Sequence, residues 1–109
     1  MRHIFFEAPE FTEKLYTIAT EDEFAKLQRE LDEHPDKGDL IKGLGGARKV
    51  RMAIRGRGKS GGARVIYYLR VKEEIWLLSI YAKNEKADLT GQERKSLARI
   101  IESLKEASL

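Results

Sequence analysis

The sequence predicts a small α+β fold with one opening strand, two helices, three further strands and a closing helix. Apolar residues recur at helical spacing in residues 11–31 and 97–104, whereas they alternate or run continuously in residues 48–81. The last three strands are joined by short loops, so an antiparallel sheet is expected. With 109 residues, the chain has room for one domain (residues 1–109) and too little length for two.

The first third of the chain is predicted to form a strand and a helical hairpin that lies across the sheet. Residues 2–7 have the composition of a short strand. A first helix is indicated by apolar residues at positions i, i+4 and i+7, which are Phe11, Leu15 and Ile18. Thr20 and Glu23 form a capping box that begins a second helix. This helix should end near His34, because a residue before a proline avoids the α region.

Three strands are predicted over residues 48–54, 64–70 and 75–81. In the first, apolar residues alternate with Lys49 and Arg51, which is typical of a half-buried strand with a basic outer face. The other two are β-branched and aromatic with few interruptions, as in central strands that are covered on both faces.

Loops and a closing helix complete the predicted order. The loops span residues 36–46, 56–62 and 71–74, and the second of them is rich in glycine. Thr90 and Glu93 form another capping box. The helix that follows carries an apolar stripe made of Leu97, Ile100, Ile101 and Leu104.

Positive charge is concentrated in the region of the predicted strands. Residues 40–72 contain ten Lys or Arg residues and no Asp or Glu, whereas residues 1–39 contain five basic and eleven acidic residues. A structural surface usually mixes both signs, so one basic residue on a strand is ordinary but ten in one acid-free window are not. A clustered positive field attracts polyanions, of which nucleic acid is the commonest.

Several classes of protein are disfavoured by composition. The chain has no cysteine, so disulfides, a thiolate nucleophile and a thiolate zinc site are excluded. No apolar run is long enough to span a bilayer, and Glu7 and Glu10 interrupt the segment where a signal peptide would be apolar. We therefore expect a cytoplasmic protein with no membrane partner. No group of carboxylates or histidines suggests a metal, and we expect none, nor any other cofactor.

Five residues could meet on one surface of the predicted sheet, if neighbouring strands present the same face. They are Lys49, Arg51, Arg64, Tyr81 and Lys83. Such a cluster would bind phosphates, with arginine acting as a planar fork and lysine as a point charge. Tyr81, and also Tyr68, could stack on an unpaired base, a contact worth roughly 1–3 kcal/mol. The competing interpretation is a solvated strand face with Tyr67, Tyr68 and Trp76 packed in the core or across strands.

The glycine-rich loop matches neither a Walker A motif nor a dinucleotide-binding fingerprint, because no helix follows Gly56 and Gly58 at the required spacing. We interpret it as a basic hairpin that touches phosphates without reading sequence. The residues expected to make such contacts in and beside it are Arg48, Arg55, Arg57 and Lys59.

Three segments together resemble the HigB-type branch of the RelE toxins, the toxin halves of bacterial toxin–antitoxin pairs. They are residues 45–51 (Gly-Gly-Ala-Arg-Lys-Val-Arg), residues 59–68 (Lys-Ser-Gly-Gly-Ala-Arg-Val-Ile-Tyr-Tyr) and residues 80–85 (Ile-Tyr-Ala-Lys-Asn-Glu). The resemblance covers nearly the whole chain. Its most specific part is the Gly-Gly-x-Arg-x-Ile-Tyr-Tyr run followed by Tyr-x-Lys-Asn-Glu.

The resemblance implies a ribosome-dependent endoribonuclease that cuts messenger RNA in the A site. In that family the ribose 2′-OH attacks the adjacent phosphate, which leaves a 2′,3′-cyclic phosphate and a 5′-OH, and basic side chains replace the usual histidines. The family's catalytic positions fall on Lys49, Arg51, Arg64, Tyr81, Lys83 and Asn84. Fixed cations would stabilise the extra negative charge of the phosphorane. Either Lys49 or Lys83 would serve as the base.

The chain departs from RelE itself at two positions. RelE has an arginine where Asn84 stands and a tyrosine where Thr90 aligns, and both have acid–base or stacking roles there. The detailed mechanism of RelE therefore does not transfer whole to this sequence.

Two other functions stay open at the level of the sequence. ParE-type proteins share the fold but inhibit DNA gyrase without cleaving RNA, and a plain nucleic-acid-binding module would show graded, salt-dependent binding. The resemblance also implies partners: an antitoxin with a helix-turn-helix domain, the ribosome with its A-site rRNA, and messenger RNA. The acidic helices of residues 9–33 are a candidate docking face for the antitoxin, although a charged helix face is more often simply solvated.

Overall fold

The computed structural model describes residues 2–56, 61–71 and 73–107. In this part of the chain, five strands and three helices form one α+β domain. They are β1 (Ile4–Glu7), α1 (Pro9–Ile18), α2 (Glu21–Glu33), β2 (Asp39–Leu40), β3 (Arg48–Met52), β4 (Ala63–Arg70), β5 (Glu74–Ala82) and α3 (Gly91–Ala107). None of these helices is both long and apolar enough to cross a bilayer. The predicted class is confirmed.

The five strands form one mixed sheet in the order β1-β5-β4-β3-β2. The strands from β2 to β5 are antiparallel neighbours, as expected, but β1 runs parallel to β5 and pairs Ile4 with Glu74. The expectation of a purely antiparallel sheet is therefore wrong. That expectation rested on the short loops between the last three strands. The strand β1 is followed by two helices, which form a connection long enough for parallel pairing. The strand β2 was not predicted, because two residues are too few to show alternation.

The helices α1 and α2 cover one face of the sheet, which we call the hairpin face. The predicted capping box is confirmed: the Glu23 N–H donates to Thr20 Oγ1 at 3.1 Å, and the Thr20 N–H donates to Glu23 Oε1 at 2.8 Å. The helix α2 ends at Glu33, as predicted. The helices and the residue between them, Ala19, pack against apolar residues of β3, β4 and β5; the buried helix residues are Phe11, Leu15, Phe24, Leu27 and Leu31.

The helix α3 covers part of the opposite face, which we call the α3 face. Its capping box is also confirmed, with Glu93 N–H to Thr90 Oγ1 at 3.1 Å and Thr90 N–H to Glu93 Oε1 at 2.8 Å. The apolar stripe is only partly confirmed, because Leu97 and Ile101 are buried but Ile100 is exposed. The buried cluster on this face contains Leu44, Ala47, Ile66, Leu78, Tyr81, Leu89, Leu97 and Ile101.

A β-bulge in β5 decides which side chains reach the α3 face. Ile66 is opposite Ser79, but the next residue of β4, Tyr67, is opposite Leu77, so Leu78 has no partner. The extra residue changes the alternation of β5. Leu77 packs on the hairpin face, whereas Tyr81, four residues later, packs on the α3 face. The bulge thus brings Tyr81 onto the same face as Arg64.

Tyr67 anchors the connection that leads from α2 into the sheet. Its side chain is fully buried, which confirms the interpretation of this tyrosine as a core residue. Its hydroxyl donates to the Pro35 carbonyl at 2.7 Å and accepts the Gly38 N–H at 2.9 Å. A Cβ at Gly38 would lie 2.8 Å from the Tyr67 ring, so glycine is required at this close approach.

Candidate active site

Three of the predicted site residues lie in one row across the sheet. Arg51 of β3 is opposite Arg64 of β4, and Arg64 is opposite Tyr81 of β5. We call these three residues the cationic row. Directly opposite residues share a face and have Cβ atoms about 4.5–5.5 Å apart. Lys49 lies two residues before Arg51, opposite Ile66, and therefore on the same face. The register thus groups four of the five side chains that were expected to meet.

Arg64 lies at the centre of this row and is largely buried, with 8 % of its surface exposed. Its Nη1 donates to the carbonyl of Ala63 at 3.2 Å. A guanidinium stays charged when it is buried, because arginine does not lose its proton in proteins. Its attraction to a phosphate is stronger here than in water, since the surrounding protein screens charge poorly.

Lys83 stands at the end of the same strand ladder. Its backbone N–H donates to the Gly62 carbonyl at 2.9 Å, which extends the β4–β5 pairing beyond Ala82. The side chains of Lys83 and Arg51 are exposed. Within residues 2–56, 61–71 and 73–107, neither side chain forms an ion pair or a hydrogen bond. Both cations are therefore available to a ligand.

The segment after β5 adds charged residues to the site that the sequence analysis missed. Asp88 Oδ1 lies 3.6 Å from Lys49 Nζ. The Lys86 ammonium lies 5.1 Å from the centre of the Tyr81 ring and forms an ion pair with Glu93. These residues lie in an irregular segment and the first turn of α3, where no alternation identifies a common face. They also lie outside the acid-free window of residues 40–72, which is the main charge signal in the sequence.

The electrostatics of this segment reflect its position among cations. The backbone N–H of Leu89, followed by the charges of Lys49 and Arg94, lowers the pKa of the Asp88 carboxyl, although burial opposes this. Burial also raises the pKa of the Glu93 carboxyl, but hydrogen bonds from Lys86 and Thr90 outweigh it and the net pKa is lowered. Both carboxylates therefore remain charged at neutral pH.

Tyr81 is buried, with 2 % of its surface exposed. Its hydroxyl is enclosed and has no hydrogen-bond partner among the described residues. Burial raises the pKa of this phenol, the Asp88 and Glu93 charges raise it further, and Arg64 opposes them. The expectation that a base stacks on Tyr81 is wrong for this conformation, because α3-face residues and Lys86 already cover the ring.

Two expected phosphate contacts instead hold backbone segments together. Arg48 Nη1 donates to the carbonyls of Asp36 at 3.1 Å and Gly38 at 2.7 Å. Arg55 Nε donates to the Ile18 carbonyl at 3.0 Å, at the junction of α1 and α2. The structure therefore does not place either arginine with Lys49 and Arg64. The remaining two expected contacts lie outside the described residues; they are Arg57 and Lys59.

Asn84 and Tyr68 also lie apart from the row. Asn84 lines a pocket with Ile18 and Ile54, which places it on the side of the hairpin face. Tyr68 is partly buried and packs with the apolar cluster of the α3 face. It follows Arg64 by four residues along β4, a distance of about 13 Å in an extended strand. Neither side chain therefore lies in the row of Arg51, Arg64 and Tyr81.

Neither histidine belongs to β3, β4 or β5, the strands that carry the row of Arg51, Arg64 and Tyr81. His3 Nδ1 lies 2.9 Å from Asp32 Oδ1, and His34 caps the end of α2. In the described part of the chain, no group of three or more His, Cys, Asp or Glu side chains is arranged to hold a metal ion. The strand register groups lysine and arginine side chains that can bind a phosphate, and these same side chains are suited to charge stabilisation and proton transfer.

Comparison with protein families adds an independent finding. A family model described as the RelE toxin of the RelE/RelB toxin–antitoxin system matches residues 16–109. The matched range includes α2, α3 and the strands β2 to β5. Every residue of the cationic row lies within it, whereas β1 and most of α1 precede it.

Proposed function

Because this chain belongs to the RelE toxin family of toxin–antitoxin systems, we propose that it is a ribosome-dependent endoribonuclease that cleaves messenger RNA in the A site. Family membership gives the chain the role of a toxin and a cognate antitoxin as its partner. We assign it further to the HigB-type branch, on the Gly-Gly-x-Arg-x-Ile-Tyr-Tyr run and the Tyr-x-Lys-Asn-Glu segment.

The observation that carries the proposal is the row of Arg51, Arg64 and Tyr81, flanked by Lys49 and Lys83. Lys49, Arg51 and Arg64 are held by the paired strands β3 and β4, and Lys83 follows β5 directly, with its backbone N–H bonded to the Gly62 carbonyl. A preorganised set of positive charges favours the extra negative charge that a phosphate acquires in the transition state.

The reaction we propose transfers the phosphodiester within the RNA strand. The ribose 2′-oxygen forms a bond to the adjacent phosphorus while the bond from phosphorus to the 5′-oxygen of the next nucleotide breaks. A base takes the 2′-OH proton, an acid protonates the departing 5′-oxygen, and the products are a 2′,3′-cyclic phosphate and a 5′-OH. Arg51 and Arg64 bind the phosphate oxygens through paired N–H donors.

Of the two candidate bases, Lys83 is the better placed. The Lys49 ammonium is already paired with the Asp88 carboxylate, with 3.6 Å between Nζ and Oδ1. No described carboxylate pairs with Lys83. We therefore assign Lys83 to the 2′-OH and Lys49 to phosphate binding. The antitoxin, which we expect to carry a helix-turn-helix domain, would act by covering this site or by blocking access to the ribosome.

The proposal is tested by adding the purified protein to translating ribosomes on a defined message and mapping new 5′ ends. New 5′-OH ends within A-site codons are expected with the wild type and with Lys26→Ala, an exposed lysine of α2. Lys83→Ala and naked RNA should give none. A folded, growth-inhibiting protein that produces no cuts would overturn the nuclease assignment and favour inhibition of DNA gyrase.

A further inference from the structure

The cationic site contains a carboxylate that the proposed reaction does not use. Asp88 Oδ1 lies 3.6 Å from Lys49 Nζ, and it also accepts the N–H of Leu89 at 2.8 Å. This second bond fixes the carboxylate against the backbone just before α3. The Asp88 side chain is 63 % exposed, so it faces the solvent from which a nucleic acid strand would approach.

The position of this carboxylate matters because phosphate and carboxylate compete for the same partner. Both are anions that accept charge-assisted hydrogen bonds from an ammonium group. A phosphate that binds Lys49 must displace Asp88 or approach a like charge a few ångströms away. Exposed ion pairs are individually weak, since water screens them, so a well-placed strand can displace the carboxylate.

We propose that Asp88 is a specificity-determining residue that lowers the affinity of the site for free single-stranded RNA. Free RNA binds such a surface mainly through counterion release, so its affinity depends on how many cations are open to phosphates. Asp88 competes with phosphates for one of these cations, Lys49. A strand that is already held in position loses less freedom on binding and can replace the carboxylate. The inference rests on the proposed function, in which the ribosome presents the strand.

The test is a binding measurement on the intact protein with a fluorescent single-stranded oligonucleotide whose 2′-O-methyl groups prevent cleavage. We expect Asp88→Asn to tighten binding by about threefold to tenfold at low salt. The plot of log K against log salt concentration should become steeper by about 0.7, since one more phosphate contact forms. The amide oxygen of asparagine can still accept the Leu89 N–H, so the local fold is retained.

Two further variants separate a local effect from a change in net charge. Asp22→Asn removes the same charge at an exposed position on α2, and it should leave the salt slope unchanged. Adding Lys49→Ala to Asp88→Asn should abolish the gain in both affinity and slope. The inference is overturned if Asp88→Asn binds like the wild type, if Asp22→Asn reproduces its effect, or if the gain survives without Lys49.

Cleavage on translating ribosomes, measured in parallel, keeps this inference distinct from the proposed function. If the wild type cleaves and Asp88→Asn binds free RNA no more tightly, only the role of Asp88 fails. If the wild type does not cleave but Asp88→Asn shows the expected change in slope, the carboxylate still restrains phosphate binding and the nuclease assignment fails.

Discussion

On the hairpin face of the sheet, two helices seal a continuous apolar cluster, whereas on the α3 face one helix covers only part of the strands. The cations of this face are Lys49, Arg51 and Arg64, of which Arg51 is exposed and Arg64 is largely buried. The difference follows from the amount of apolar surface each side supplies. The helix α3 contributes Leu97 and Ile101 as buried side chains, whereas α1 and α2 together contribute five.

Neighbouring residues of one strand therefore have different roles, one in the core and the other in the site. Val65 is completely buried in the hairpin-face core, and Arg64, next to it, points to the opposite face and joins the cationic row. Because side chains alternate along a strand, a single rigid strand provides both the scaffold and the site. We accordingly expect substitutions on the hairpin face to change stability and substitutions in the row to change catalysis.

The largest loss of stability is expected on the hairpin face. Leu15→Ala removes a fully buried side chain of α1 and should lower the free energy of unfolding by about 2–5 kcal/mol. Leu40→Ala, at a leucine that is 62 % exposed on β2, should change it by less than about 0.5 kcal/mol. Urea denaturation of both variants measures the contrast. Equal losses would show that the hairpin face is not the main core.

The largest loss of activity is expected from Arg64 on the α3 face. Arg64→Ala removes the buried cation of the row and should lower the single-turnover cleavage rate by about 10²–10³-fold. Arg64→Lys keeps the charge but loses the planar fork, so it should recover only part of the rate. Circular dichroism checks that both variants are folded. If folded Arg64→Ala cleaves at a rate within a few-fold of wild type, the assignment of catalysis to the α3 face is contradicted.

A smaller effect on stability is expected from pH, because the capping boxes of α2 and α3 each contain a glutamate carboxylate. Burial raises the pKa of the Glu23 carboxyl, but hydrogen bonds from Thr20 and Arg55 outweigh it and lower the pKa below 4.5. Burial also raises the pKa of the Glu93 carboxyl, and hydrogen bonds from Lys86 and Thr90 likewise lower it below 4.5. A lowered folded-state pKa means that each contribution to stability is present above pH 4.5 and is lost as the pH falls through the folded value.

Carboxyl titrations by NMR measure these pKa values directly. Both midpoints should lie below 4.5, the ordinary value for glutamate. Glu23→Gln and Glu93→Gln should each flatten the acid dependence of stability, with Glu93→Gln acting on α3 beside the site and Glu23→Gln acting on α2. A midpoint at or above the ordinary value for either residue would contradict the capping geometry on that side.

Much of the fold could be predicted because its signals are local. The capping boxes at Thr20 and Thr90 and the alternation around Lys49 and Arg51 are written in adjacent residues, and the structure contains all of them. The parallel pairing of β1 with β5 could not be predicted, since it joins residues about 70 positions apart and depends on how the helices pack.

The sequence predicted that cations would gather at the site, but not which other residues would join them or which of the basic residues would lie elsewhere. The bulge at Leu78 determines which face Tyr81 occupies, and neither composition nor spacing locates a bulge. Arg48 and Arg55 belong to the same basic window as Arg51, yet they bind backbone carbonyls that other elements bring to them. Asp88 was missed because its proximity to Lys49 arises from tertiary structure alone.

The most direct test of the central claim compares two exposed arginines on different parts of the molecule. Arg51 lies in the row on β3 and Arg29 lies on α2, and each substitution by alanine removes one positive charge. The measurement is the single-turnover rate of message cleavage on translating ribosomes. We predict a loss of about tenfold or more for Arg51→Ala and a change within about twofold for Arg29→Ala. Equal effects of the two substitutions would contradict an active site on the open end of the α3 face.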